Sequence, residues 1–214
     1  MNVAFVTPEF YSLVRRTNLA SVAESLAVAL QEAGNKVMVF IPRSAGMAEE
    51  HTGRAIEIGR VTVRDHEGED VEFRLLETRV KDLPVVIFDN DRWFNRRNPY
   101  GDENGPYLDN WRRYALFSRA FLEGLEVLGF TPRVIHCMDW TTGLIPAYHD
   151  LEYADREEPH AAKNAGTWFS VHNLAMQGSF ERDVLARIGI PHSEFREVGG
   201  VALDGKVNFL KAGA

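Results

Sequence analysis

Four short segments of the sequence concentrate the side chains able to do chemistry. The first is Thr7-Pro8-Glu9, followed by Arg15-Arg16-Thr17-Asn18 just ahead of an apolar periodic run. A helix N-terminus with free amides and nearby guanidinium groups binds phosphate, although a solvated basic turn with an ordinary cap accounts for the same residues. The second is His136-Cys137-Met138-Asp139-Trp140. A carboxylate beside an indole suits a sugar: the carboxylate accepts from hydroxyls and the ring covers the apolar C–H face. Asp139 also fits the N-cap of a following helix. The third is His172-Asn173 and, a few residues on, Gln177-Gly178. The fourth is Tyr100-Gly101-Asp102 with Trp93, Phe94, Tyr107, Trp111 and Tyr114, an aromatic set able to line a carbohydrate surface. Helical spacing makes Trp111 and Tyr114 core residues first. His136 and Cys137 read as strand-end core, since no third ligand is spaced to complete a metal site.

The elements that must position these residues follow from periodicity. Asn2–Val6 is a short β-branched run suited to a strand buried on both faces. A helix from Leu19, capped by Thr17 or Asn18, runs to Gly34, and Lys36–Ile41 is a second buried strand. Strand, helix and strand within about forty residues make a βαβ unit. Residues 60–78 read as a hairpin turning through Asp65–Gly68, and Pro84–Phe88 as another buried strand. Residues 89–110 read as a long loop. A helix from Trp111 to Leu128, capped by Asp109 or Asn110, precedes a strand over Arg133–Cys137. Thr142–Leu151 reads as helical despite Pro146, Thr167–Val171 as a strand, Glu181–Ile188 as a helix, and Gly205–Ala214 as the start of another. Alternating strands and helices indicate an α/β fold with a mostly parallel sheet and helices on both faces. Ligands of such sheets bind at the carboxyl ends of the strands, where the first, second and third chemical segments lie.

Composition narrows the function classes. The 214 residues suit one domain. Lys and Arg number 24 against 31 Asp and Glu, a net charge of −7. Such a surface repels phosphate on the whole, so neither nucleic acid nor a membrane surface is expected as a partner. The single cysteine, Cys137, forms no internal disulfide, which makes the cytoplasm the expected compartment. The first residues lack a basic segment of a signal peptide. No apolar stretch approaches the ~20 residues that span a bilayer.

Six stretches in order resemble the N-terminal domain of bacterial glycogen synthases and plant starch synthases, glycosyltransferase family five. They are VAFVTPEF, the LASVAESLAVAL helix with the G-N-K-V and IPR that follow, YGD with DNWRRYALFSRA, VIHCMDWTTGLIPA, FSVHNLAMQGSF, and G-K-V-NFLKAG. The resemblance implies a GT-B enzyme, two Rossmann-like domains facing across a cleft, that moves glucose from ADP-glucose to the 4-hydroxyl of an α-1,4-glucan with retention and without a metal or other cofactor. On that reading residues 1–214 are a single Rossmann-like N-terminal domain and the nucleotide-sugar domain is absent. His172 then contacts the transferred glucose beside Asn173, Asp139 stands near donor and acceptor, and Glu9 is the acidic residue of the first loop. Arg15, Thr17, Asn18, Trp140 and Gln177 are expected to bind substrate. The sequence departs from the family where K-T-G-G-L becomes Arg15-Arg16-Thr17-Asn18-Leu19. Glycines let backbone approach phosphate, and a positive φ disfavours Thr17 in particular. Met138 and Thr141 replace two histidines, and Ala202, Asp204 and Lys206 replace residues around the G-Q segment. Three readings result: an acceptor-side domain inactive by itself, a degenerate module that binds glucan or regulates, and a nucleotide-binding fold with no sugar role, which the sugar-typical loops disfavour. An uncovered cleft wall is expected to turn Asp139, Trp140 and His172 toward water.

Overall fold

A computed structural model describes residues 1–214. The β-branched runs form β1 (Asn2–Val6) and β2 (Lys36–Pro42), joined by α1 (Leu19–Glu32). After α2 (Glu49–Thr52) come three long strands, β3 (Ile56–Arg64), β4 (Asp70–Val80) and β5 (Leu83–Asp89). The segment read as a loop holds α3 (Asp91–Phe94) and a miniature hairpin of β6 (Gly101–Asp102) and β7 (Gly105–Pro106). The long amphipathic run becomes α4 (Asn110–Val127), followed by β8 (Val134–Met138). Residues 140–153 are helical throughout, tight at Trp140–Thr142, regular in α5 (Leu144–Tyr148) and wide at His149–Tyr153. Pro146 sits in the first turn of α5, where its missing N–H does least harm. Then come β9 (Gly166–Ser170), β10 (Ser179–Phe180), α6 (Val184–Arg187), β11 (Ala202–Leu203), β12 (Lys206–Asn208) and α7 (Phe209–Gly213).

Seven strands form one sheet in the order β3-β4-β5-β2-β1-β8-β9. From β5 to β9 every pair is parallel, while β3 and β4 attach antiparallel at one edge. The sheet is thus mixed, with a parallel body. Its faces are covered by two separate cores. One gathers Phe40, Phe88, Phe117, Phe121 and Leu144 under α4 and α5, and the other gathers Phe5, Val39, Ile87, Ala23 and Ala27 under α1. Covering both faces is what a parallel sheet requires. The edge strand β9 is less covered, and Trp168 on it is 65% exposed. No helix is long and apolar enough to cross a membrane.

Several expected boundaries move. Asn18 takes ordinary helical backbone and its side chain caps nothing. Asp109 does not cap α4 either, because Arg96 holds its carboxylate through two bonds of 2.8 and 2.5 Å. Instead Asn90 caps α3, accepting from the Trp93 amide at 3.0 Å. The helix expected over 181–188 shrinks to α6, closed by Gly189 in left-handed backbone. The expected helix start at Gly205 lies at Phe209, because Asp204-Gly205 forms a two-residue hairpin turn with φ of 51° and 72°. The β4–β5 hairpin turns the same way at Lys81-Asp82, with φ of 47° and 64°, without any glycine. Both are the mirror-image turns that match strand twist.

An exposed aspartate held left-handed at Asp82 is a small, removable cost. Asp82→Gly is expected to stabilise the chain by about 0.5 kcal/mol, raising Tm by roughly 1–2 °C in a thermal melt.

Candidate functional site

Glu9 leaves the end of β1 and is fully buried. Its carboxylate accepts from the Arg16 amide at 2.5 Å, the Thr17 amide at 2.8 Å, the Thr17 hydroxyl at 2.9 Å and the Tyr100 hydroxyl at 2.6 Å. Two donors serve each oxygen, which satisfies a buried anion without a cation. Glu9 is therefore committed to holding loop 15–18 against Tyr100. Burial and the Glu9 charge hold the Tyr100 hydroxyl well above its ordinary pKa, so it remains a donor. The expected strain at Thr17 and Asn18 is absent, because the only non-glycine residues with left-handed φ are Lys81, Asp82, Asp139 and Asp204. No residue of loop 15–18 takes a positive φ, and Asn18 has helical backbone.

Asp139 follows β8 with φ 58° and ψ 179°, a positive-φ extended conformation costly for any residue with a Cβ. Its Oδ1 accepts from the His172 amide at 2.6 Å and more distantly from the Asn173 amide at 3.4 Å. The side chain thus ties down the loop after β9 and caps no helix. The Asp139 Oδ2 has no partner in the chain and is free to accept from a hydroxyl. Asp139 and Trp140 are buried, against the expectation that they face water; only His172 is exposed. Trp140 meets Tyr114 edge-on at 5.0 Å, with Tyr100 and Phe180 each at 6.2 Å. A Cβ at Gly178 would fall 2.3 Å from the indole, and its φ is 61°, so that position demands glycine.

Beside this framework opens a cavity of about 650 Å³ whose lining includes Arg16, Thr17, Tyr100, Tyr107, Trp140 and Gln177. Thr17, Tyr100 and Trp140 also border a narrow crevice that reaches Asp139 and Asn173. Gln177 is itself fixed, donating to the Leu174 carbonyl at 2.9 Å and accepting from Asn208 at 2.8 Å. Of the expected residues, Arg15 lies apart, over Tyr11 at 4.7 Å in a neighbouring groove. Asn18 lines neither groove nor cavity, and Glu9 stands behind the wall. Trp93, Phe94, Trp111 and Tyr114 are buried in the core. Asn98 and Asn110 line the cavity unanticipated; their type and loop placement gave only a turn or cap signal.

His136 and Cys137 are core residues, as expected. The His136 ring lies tilted against Phe5, centroids 5.0 Å apart, and its Nε2 meets the Ser170 hydroxyl at 2.7 Å. Burial, aided by His172, pulls its pKa down to about 4. Burial alone pushes the Cys137 thiol up. No three His, Cys, Asp or Glu side chains converge as a metal site.

Residues 2–214 match the family model described as the starch synthase catalytic domain. The chain is 34% identical over 212 residues to a glycogen synthase of Geotalea uraniireducens, covering 99% of this chain and 43% of that protein. It is 38% identical over 197 residues to glycogen synthase 2 of Geobacter sulfurreducens, covering 91% and 40%. Among solved structures it resembles the catalytic domain of starch synthase IV from Arabidopsis thaliana bound to ADP and acarbose, with TM-score 0.83, 25% identity, and coverage of 99% and 42%. The chain thus spans about two fifths of the length of these relatives.

Asp139→Ala is expected to raise hydrogen exchange at the His172 amide about tenfold, whereas Asp139→Asn, which keeps the acceptor, preserves protection. Unchanged protection in the alanine variant counts against the tie. For His136, the unfolded ring protonates near pH 6.5 and the folded ring only near 4, so its contribution is full above about 6.5 and is lost as pH falls toward 4. Stability should drop by about 1–2 kcal/mol between pH 7.5 and 5, and His136→Gln should flatten that slope in urea melts.

Proposed function

The chain belongs to the starch synthase catalytic domain family, and on that premise we propose that residues 1–214 form a single Rossmann-like unit serving as the acceptor-side wall of an ADP-glucose-dependent α-1,4-glucan synthase. The observation that carries this reading is the cavity at the carboxyl ends of β1 and β8, with tyrosine and indole rings on one side and fixed amides on the other. Rings take the apolar faces of hexopyranoses, and positioned polar groups fix their orientation. In the transfer, the bond between glucose C1 and the ADP phosphate oxygen breaks as the glucan 4-hydroxyl oxygen bonds to C1, and the hydroxyl proton leaves with the ADP phosphate. Asp139 Oδ2 accepts from a sugar hydroxyl, and the free His172 imidazole contacts the transferred glucose. Arg16, on the cavity lining, offers positive charge to the departing diphosphate, while Arg15 stands in the neighbouring groove. Full stabilisation of that charge needs a second wall, supplied by a nucleotide-sugar-binding partner domain.

One observation favours the second reading, a glucan-binding module without catalysis. The Arg16 and Thr17 amides, which would otherwise face phosphate, both donate to Glu9. The two readings separate when the chain is mixed with a polypeptide carrying the remainder of the Geotalea uraniireducens enzyme. Restored incorporation of glucose into glycogen supports the half-site, and glucan binding without incorporation supports the module.

For the chain alone, calorimetry should show maltoheptaose bound with Kd of about 1 mM, weakened several-fold by Tyr107→Ala, and ADP-glucose bound too weakly to measure. No incorporation from ADP-glucose into glycogen is expected. Micromolar ADP-glucose binding, or unaided incorporation, overturns the reading.

A further inference from the structure

Arg113, on the first turn of α4, is 1% exposed and has no carboxylate partner. Its guanidinium donates to the Trp93 carbonyl at 2.7 Å, the Pro99 carbonyl at 2.8 Å and the Asn110 side chain at 2.6 Å. A buried cation served by neutral oxygens and aromatic faces rather than a carboxylate is costly, so its position calls for a reason beyond packing. Three of the four aromatic residues lining the cavity connect to it, Tyr107 directly and Tyr100 and Trp140 through one intermediary each. The Tyr107 ring lies 5.2 Å from the guanidinium. The Tyr100 carbonyl accepts from Asn110, which Arg113 orients, at 2.8 Å. The Tyr114 ring, 5.4 Å from the guanidinium, carries Trp140 edge-on and bonds through its hydroxyl to the same Pro99 carbonyl at 2.8 Å. Beyond Tyr100 the chain of bonds reaches Glu9 and, through it, the Arg16 and Thr17 amides.

We infer that Arg113 is a positioning residue that sets the spacing of Tyr100, Tyr107 and Trp140 and couples that aromatic wall to loop 15–18, without itself reaching the cavity. Its role for glucan rests on the function proposed above; its role in ordering the wall does not. A planar fork reaches three fixed oxygens at once, which a lysine ammonium on a flexible stem cannot reproduce. The neighbouring Arg112 supplies the contrast. It is also largely buried and pairs with Asp65, Glu67 and Glu69 at the β3–β4 turn, away from the cavity.

The test compares Arg113→Lys with Arg112→Ala by far-ultraviolet and near-ultraviolet circular dichroism, hydrogen exchange and calorimetry with maltoheptaose. Both variants are expected to lose some thermal stability while keeping the far-ultraviolet spectrum. Arg113→Lys alone should lose near-ultraviolet aromatic intensity, exchange the Tyr107, Arg16 and Thr17 amides at least tenfold faster, and bind maltoheptaose at least tenfold more weakly. Should the lysine variant fail to fold, Asn110→Ala probes the same wall and should reproduce the faster exchange at Tyr107. Retained aromatic signal and retained protection at Tyr107, Arg16 and Thr17 in Arg113→Lys overturn the inference. Where the unmodified chain binds no maltoheptaose, the glucan reading fails, and the spectrum and exchange still decide the role of Arg113.

Discussion

Backbone amides that leave a parallel sheet need acceptors, and here two buried carboxylates supply them. Glu9 and Asp139 close the adjacent strands β1 and β8, and each folds over the loop that faces it: Glu9 over loop 15–18, Asp139 over the segment after β9. A buried amide without a partner costs about as much as a lost hydrogen bond, so these loops would otherwise need water or a regular element. The carboxylates make rigid walls out of irregular chain. Tyr100 then ties the third wall to the first, and the cavity is what remains between them.

The parts of this arrangement that regular periodicity governs were legible from the amino acids. The βαβ unit, α4 and the strand ends follow from apolar spacing, because burial against two faces leaves few alternatives. Turn chemistry was read less well. Asp204-Gly205 carries an ordinary hairpin signal that the expectation of a helix start obscured. Lys81-Asp82 carries a weaker one, since Asp tolerates left-handed backbone but Lys does not favour it, and the pairing of β4 with β5 imposes it on both. Side-chain roles were the least legible. Asp139 and Glu9 were recognised by type, but which amides would fold back to them depends on loops that meet only in three dimensions. Arg113 is one of three arginines on α4, and nothing local marks it as the one that is fully buried without a carboxylate.

Loop 15–18, where the family resemblance implies two glycines, is held against Glu9 by the Arg16 and Thr17 amides. Glycine at two positions gives backbone access from the outside. Threonine and asparagine there close that access, yet Thr17 gains a hydroxyl bond to Glu9 and its amide is held as well.

The lone thiol has a practical corollary. Cys137 lies inside the sheet with no exposed surface, and burial suppresses its thiolate. The folded molecule is thus silent toward maleimides and similar electrophiles. A cysteine placed on the cavity rim would be the sole labelling position, giving fluorophores or spin labels a clean background with no need to delete the native sulfur. Conversely, any reaction at Cys137 clocks the opening of the sheet itself.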